Sequence, residues 1–290
     1  MAVTDRSVAV RGLTFADAWR SFRTAIGLGW AIESNWSDPF LFAVYTIAKP
    51  LAAAMILVVM VQVITQGQAT EFLQFMIVGS ALWNVVFGVM GGLVQSILED
   101  RERYRMMKYV VVTPSSLFPF LLGRSLARVL VSFVAVALTM LIGVVFLGVE
   151  LRPDLLYLVP ATVIGVLGVM AIGVFMAGWC LQLRQEAWSY PEAIAGALYL
   201  VSGAIFPIDI LPEVVRPIAF ASPTTWWLEA SRRGLLGHGS PGLIGQFSDA
   251  QVMLFLVGSV AVAVPVALAL FAWFMRRARE SGLLDMTTGS

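Results

Sequence analysis

Histidine and cysteine occur once each in the 290 residues, at His238 and Cys180, and lysine only twice, at Lys49 and Lys108. One cysteine excludes an internal disulfide and a cysteine-built metal centre. Cys180 lies in an apolar run and reads as a small buried hydrophobe. His238 lies in a glycine-rich loop and reads as solvated, and there is no HExxH pair to hold zinc. Neither lysine precedes Ser or Thr, so the chain has no Walker A loop, and no GxSxG nucleophile elbow occurs. Charge is scarce as well. Only 13% of residues are charged and 59% are hydrophobic, whereas a soluble domain is nearer a quarter and a half. The chain therefore reads as an all-α polytopic membrane protein. A net charge of +1 gives no reason to expect a nucleic-acid partner. No acid sits in the middle of an apolar run, which weakens a proton- or sodium-coupled carrier, and no ring of charge marks a selectivity filter. The N-terminus has no basic region followed by an apolar core and a small-residue cleavage site, so no removable signal is expected.

The long apolar runs supply the frame. Residues 1–38 read as a polar tail followed by an interrupted amphipathic helix, with Phe15, Trp19, Phe22, Ile26 and Trp30 at three- and four-residue spacing. Two tryptophans beside Arg20 and Arg23 suit the headgroup boundary; a helix packed on protein is the other reading. Spans follow at about 40–64, 72–97, 118–147 and 155–183, each long enough for the ~20 residues a crossing needs. Lys49-Pro50 interrupts the first; Pro50 predicts a kink, and Lys49 either snorkels to the nearer surface or is a buried functional charge. Gly79, Gly88, Gly91 and Gly92 in the second, and the Ala161/Gly165 and Gly173/Ala177 pairs in the fourth, offer close helix approach. Arg124 and Arg128, one turn apart at the start of the third, are expected to point back to water.

A fifth apolar run, Ala193–Phe206, is too short to cross alone. Pro207, Asp209, Pro212, Glu213, Arg216, Pro217 and Pro223 follow it in apolar surroundings. Proline-broken backbone at membrane depth requires a protein or aqueous lining, which predicts an external re-entrant hairpin over about 203–230. Trp226 and Trp227 suit an interfacial belt, and Ser231–Asp249 reads as a polar loop. The last span is Val252–Phe274, and 276–290 is a short tail. The expected fold has six transmembrane helices in a 39–275 domain.

The densest charge lies between spans two and three. Glu99, Asp100, Arg101, Glu102, Arg103, Arg105 and Lys108 fall within ten residues, with Tyr104, Met106, Met107 and Tyr109 among them. This must mark a return to water. It reads either as a solvated loop or as a docking helix; acids before bases suit a helix dipole, and the aromatics and methionines add docking surface. Fourteen of the nineteen basic residues fall on the side of both termini and this stretch, against four on the other side, so the positive-inside rule places that side in the cytoplasm of a cell membrane.

Two segments carry a resemblance: EDRERYRMMKYVVVTPSSLFPFLLGRSLA after span two and SGAIFPIDILPEVVRPIAFASPTTWWLEASRRGLLG after span five. Together with the N-terminal interfacial helix, they make the chain similar to the membrane subunit of ABC-2 type exporters, also called type V ABC permeases. The resemblance implies that Glu99–Met106 and Lys108 belong to a coupling helix within about 99–116. In this helix Glu102 and Arg103 take the family's acid–base positions, followed by Pro114, Ser115 and the Gly123-Arg124 pair. It also implies that Ser202, Gly203, Phe206, Pro207, Asp209, Leu211, Pro212, Glu213, Pro223 and Arg232 build the external hairpin. The expected partners are two ATP-binding subunits, a second membrane subunit (a homodimer) and membrane lipid. ATP and magnesium are expected on the partner, with no cofactor on this chain and no catalysis by it. The expected cargo is amphipathic, lipidic or polysaccharide-like. The rivals are a passive channel or secondary carrier, for which flux in reconstituted membranes without an ATPase would speak, and a non-transporting scaffold.

Overall fold

The computed structural model describes residues 15–34, scattered positions from 38 to 63, and residues 71–105, 117–183 and 189–283. Eight helices cover most of these. They are α1 (Phe15–Ser34), α2 (Glu71–Leu98), α3 (Leu117–Leu147), α4 (Leu155–Cys180), α5 (Ser189–Val201), α6 (Arg216–Ala221), α7 (Pro223–Leu236) and α8 (Asp249–Glu280). Among the described residues there is no strand.

Four of these helices are long and apolar enough to cross a membrane: Gln74–Arg103, Phe118–Phe146, Leu155–Cys180 and Asp249–Glu280. They correspond to the second, third, fourth and last expected spans. The first expected span falls mostly outside the described residues. Those described in it, such as Phe40, Val44, Ile56, Val59 and Val63, are helical and exposed. The fifth run becomes α5, only 13 residues long, about 20 Å at ~1.5 Å per residue and short of the hydrocarbon thickness.

Local chemistry fixes the boundaries. Asp154 caps α4 by accepting from the Leu156 and Tyr157 amides, satisfying donors that the first turn leaves free. Ser248 and Gln251 form a reciprocal capping box at α8. Pro223 opens α7, where its missing amide hydrogen costs nothing, and Gly237 closes it in the left-handed conformation (φ 76°).

The centre is α2. Of its apolar window 72% is buried, against 39% or less for the other three crossing helices. It packs on α3, α4, α5 and α7, while α1 lies along α3 and α8 packs on α4 and α7. Small residues set the approach. A Cβ on Gly88 would overlap Ser132 of α3, and one on Gly173 of α4 would come within 3.0 Å of the Met90 Cα. Among the described residues no atom lies within 4 Å of a Cβ placed on Gly91.

Two expectations are corrected around α7. The polar tract from Ser231 is not a loop at its start: Ser231–Leu236 continue α7. Trp226 and Trp227 are not in an interfacial belt but are 4% and 1% exposed. Trp226 stacks on Phe255 and donates to the Phe220 carbonyl. Trp227 lies on Gly165, where any Cβ would overlap its ring. A polar helix whose polar atoms are spent inside the bundle mimics a loop in composition.

Candidate functional site

Two polar clusters occupy opposite ends of the helical body, and α2 touches both. At its C-terminal end α2 widens into a π turn, Glu99–Arg103, closed by Tyr104 N donating to Glu99 O at 2.8 Å. Such turns often mark functional positions. Arg105 follows at φ 51°, a region that side chains seldom adopt.

The charged residues divide there. Arg103, Tyr104 and Arg105 are exposed and Glu102 is intermediate, but Glu99, Asp100 and Arg101 are 7%, 1% and 2% exposed. Met106 and Lys108 lie outside the described residues, as do Pro114 and Ser115. Arg124 reaches Glu99 at 3.0 Å and Asp100 at 3.1 Å. Arg128 binds Glu99 at 2.8 Å and Glu33 of α1 at 3.0 Å. Arg101 binds Glu102 and donates to the Cys180 carbonyl at the end of α4 (2.9 Å). The arginines of α3 thus point at acids rather than to water, and the network joins α1, α2, α3 and α4. Charges this buried persist only when paired. The guanidinium of Arg124 also lies 5.6 Å from the Tyr104 ring, linking the buried cluster to the exposed tip.

The α1–α3 seam explains why Gly123 precedes Arg124. A Cβ at Gly123 would overlap the Phe22 carbonyl, and one at Gly29 would overlap the Arg124 carbonyl. Glycine on both helices brings the backbones close enough for Glu33 and Arg128 to meet.

At the other end α7 carries the second cluster. Glu229 is 1% exposed. It accepts from Arg233 (2.7 Å), from the Ser240 amide (3.1 Å) and from the Ser240 hydroxyl. Arg233 also donates to Phe247 O, Asp249 Oδ1 and Ile244 O at 2.7–3.1 Å. Arg232 donates to Gly203 O and Ala204 O (2.8 and 2.9 Å) and stands 3.7 Å over the Phe75 ring of α2. These bonds pin the turn after α5, in which Gly203 takes φ 74°.

The remaining hairpin positions are distributed around this turn. Ser202 is buried, and Phe206 is exposed. Pro207 precedes the 3₁₀ turn Ile208–Ile210, Asp209 accepts from the Leu243 amide, and Leu211 O accepts from Arg216. Pro212 and Glu213 are exposed. Arg232, Ser202, Gly203 and Asp209 border a small cavity of about 10 Å³, room for one water. Sequence reasoning missed Glu33, Glu229, Arg233 and Ser240 as members of the clusters. The i, i+4 spacing of Glu229 and Arg233 was the available signal.

Comparison with known proteins agrees with this architecture. The model of the family described as "ABC-2 type transporter" matches residues 27–236. The chain belongs to the ABC-2 type transporter family. Among curated proteins, it is 23% identical over 185 residues to the "Probable multidrug ABC transporter permease YbhS" of Escherichia coli K12, covering 62% of this chain and 47% of that protein. The same figures hold for the protein of that name from Escherichia coli O157:H7. The chain spans about half the length of the curated relatives it matches. As an ABC-2 family member with four membrane-length helices, it is a multi-pass membrane protein of the transporter class. The family match extends from the second half of α1 to the end of α7, so both clusters lie within it except Ser240, Ile244, Phe247 and Asp249.

Proposed function

We propose that this chain is the membrane subunit of an ATP-driven exporter and that the end of α2 receives motion from separate ATP-binding subunits. Two membrane subunits, identical copies, pair in the cell membrane with both termini and the Glu99–Lys108 stretch in the cytoplasm. ATP and magnesium bind the partner subunits. The cargo is amphipathic or lipidic: the chain is rich in aromatic and methionine residues, and the named relatives are called "Probable multidrug ABC transporter permease".

One observation carries the reading. An exposed tip, Arg103–Tyr104–Arg105, is continuous with a buried network that grips α1, α2, α3 and α4. A force on this tip reaches four helices through short ion pairs and the hydrogen bond from Arg101 to the Cys180 carbonyl. The buried residues Glu99, Asp100 and Arg101 belong to the base of the lever, and the exposed ones to its contact surface.

The test is co-purification from the native membrane, followed by reconstitution with the ATPase so obtained. Arg103→Ala and Glu102→Ala are expected to insert normally and to lose coupled transport. Normal transport by both variants, or flux from the membrane chain without any ATPase, would overturn the reading. A membrane-impermeant label is expected to reach cysteines placed at Asp209 and Glu213 only from outside the cell.

A further inference from the structure

α1 presents two unlike faces. Phe22, Ala25 and Gly29 turn toward α3, where the backbones are in near contact. On the adjoining, solvent-facing side Trp19, Arg20, Arg23, Thr24, Gly27 and Trp30 are exposed, the two tryptophans by 58% and 49%, with the Trp19 ring 5.7 Å from that of Phe22 at the edge between the faces. At ~100° per residue, Trp19, Arg23 and Trp30 share about 40° of arc, with Arg20 flanking them. Neither arginine has a carboxylate within ion-pair distance among the described residues. The nearby acids are committed: Glu33 holds Arg128, and Asp17 has its own partner. α1 is not among the helices apolar enough to cross.

From this we infer that the Trp19–Arg20–Arg23–Trp30 face is a binding site for anionic phospholipid headgroups. The indoles provide amphipathic surface for the acyl–headgroup boundary. The unpaired guanidiniums match phosphate in charge and in bidentate geometry. Zwitterionic headgroups carry their own cation and offset that attraction. The site is rigidly placed, because Gly29 and Gly123 fix α1 on α3 and Glu33 joins Arg128 of the buried network. Glu33, on the same helix, is one arginine removed from Glu99. Placing α1 at the inner leaflet rests on the proposed function; the headgroup preference itself does not.

The test uses the full chain in nanodiscs of phosphatidylcholine with graded phosphatidylglycerol, with one lipid or the other brominated to quench tryptophan. The signal of Trp19 and Trp30 is isolated by difference against W19F/W30F. A preference for phosphatidylglycerol of at least about fivefold is expected, from the contribution of each basic residue near an anionic surface. It is expected to shrink in 0.5 M salt, where the screening length falls to a few ångströms. R20Q/R23Q is expected to abolish the preference and R20K/R23K to keep most of it. Equal quenching by both lipids in the wild type, a salt-independent preference, or an unchanged preference in R20Q/R23Q would each overturn the inference. So would a change in oligomeric state of R20Q/R23Q with no change in lipid preference, which would make the face a protein contact. No ATPase is present, so a failure of the transport reading leaves this outcome separately legible.

Discussion

The two ends of α2 meet buried charge in different ways. The Glu229 carboxylate and the Arg233 guanidinium are met by directional hydrogen bonds from α7, the following loop and the start of α8, although Arg232 Nε, Thr225 Oγ1, Trp227 Nε1 and Ser231 Oγ of α7 have no partner among the described residues. Around Asp100 and Arg124 the charges are equally buried but less directed. Among the described residues neither Asp100 oxygen accepts a hydrogen bond, and Arg124 Nε and Nη1 donate none. The first cluster is a closed lock. The second mixes directed bonds, from Arg124 and Arg128 to Glu99 and from Arg101 to the Cys180 carbonyl, with the Asp100–Arg124 contact, which is held by proximity of opposite charge alone.

Mutation separates the two. The largest effect is expected from Arg233→Ala, which leaves the buried Glu229 carboxylate without its counter-charge, with only Ser240 donating to it among the described residues, and should cost about 3–5 kcal/mol, read as a fall in unfolding midpoint in detergent. A midpoint within error of the wild type would remove the lock from the comparison. Arg124→Ala comes next, at about 3 kcal/mol, because Arg128 still covers one oxygen of Glu99; unlike Arg233→Ala, it should also uncouple transport from ATP hydrolysis in the reconstituted complex. Gly165→Ala should cost about 1–3 kcal/mol by pressing a methyl group into Trp227, and a neutral result would mean that α7 is looser than its burial suggests. Asp100→Asn should change stability by less than about 1 kcal/mol, since no directed bond is lost. A loss of several kcal/mol there would make the two clusters alike.

The crossing helices were legible from hydropathy alone, because the hydrocarbon demands length and apolarity whatever the packing. α2, α3, α4 and α8 therefore agree with expectation to within a few residues, except that α8 extends past Phe274 to Glu280. α7 was not legible. Its serine, threonine and arginine residues look solvent-bound in sequence, and only the three-dimensional partners of Glu229, Arg232 and Arg233 show otherwise. Arg124 and Arg128 failed for a related reason: counting basic residues assigns a side of the membrane but says nothing about which acid they face. Glu33 lies 95 residues from Arg128 in sequence, beyond any periodicity argument. The glycines at 29 and 123 make the pair possible, and they carry no charge signal at all.

Gly79 gives the central helix a further property. A side chain there would collide with Ala204 and with Arg232, so the flank of the helix near its N-terminal end is seated against the turn after α5. That helix runs 30 residues from Gln74 to Arg103, about 45 Å at ~1.5 Å per residue. The seat is lateral, so it holds the helix sideways at that point, and a swing about it grows with distance from it. Leverage is greatest at the tip and vanishes near Gly79.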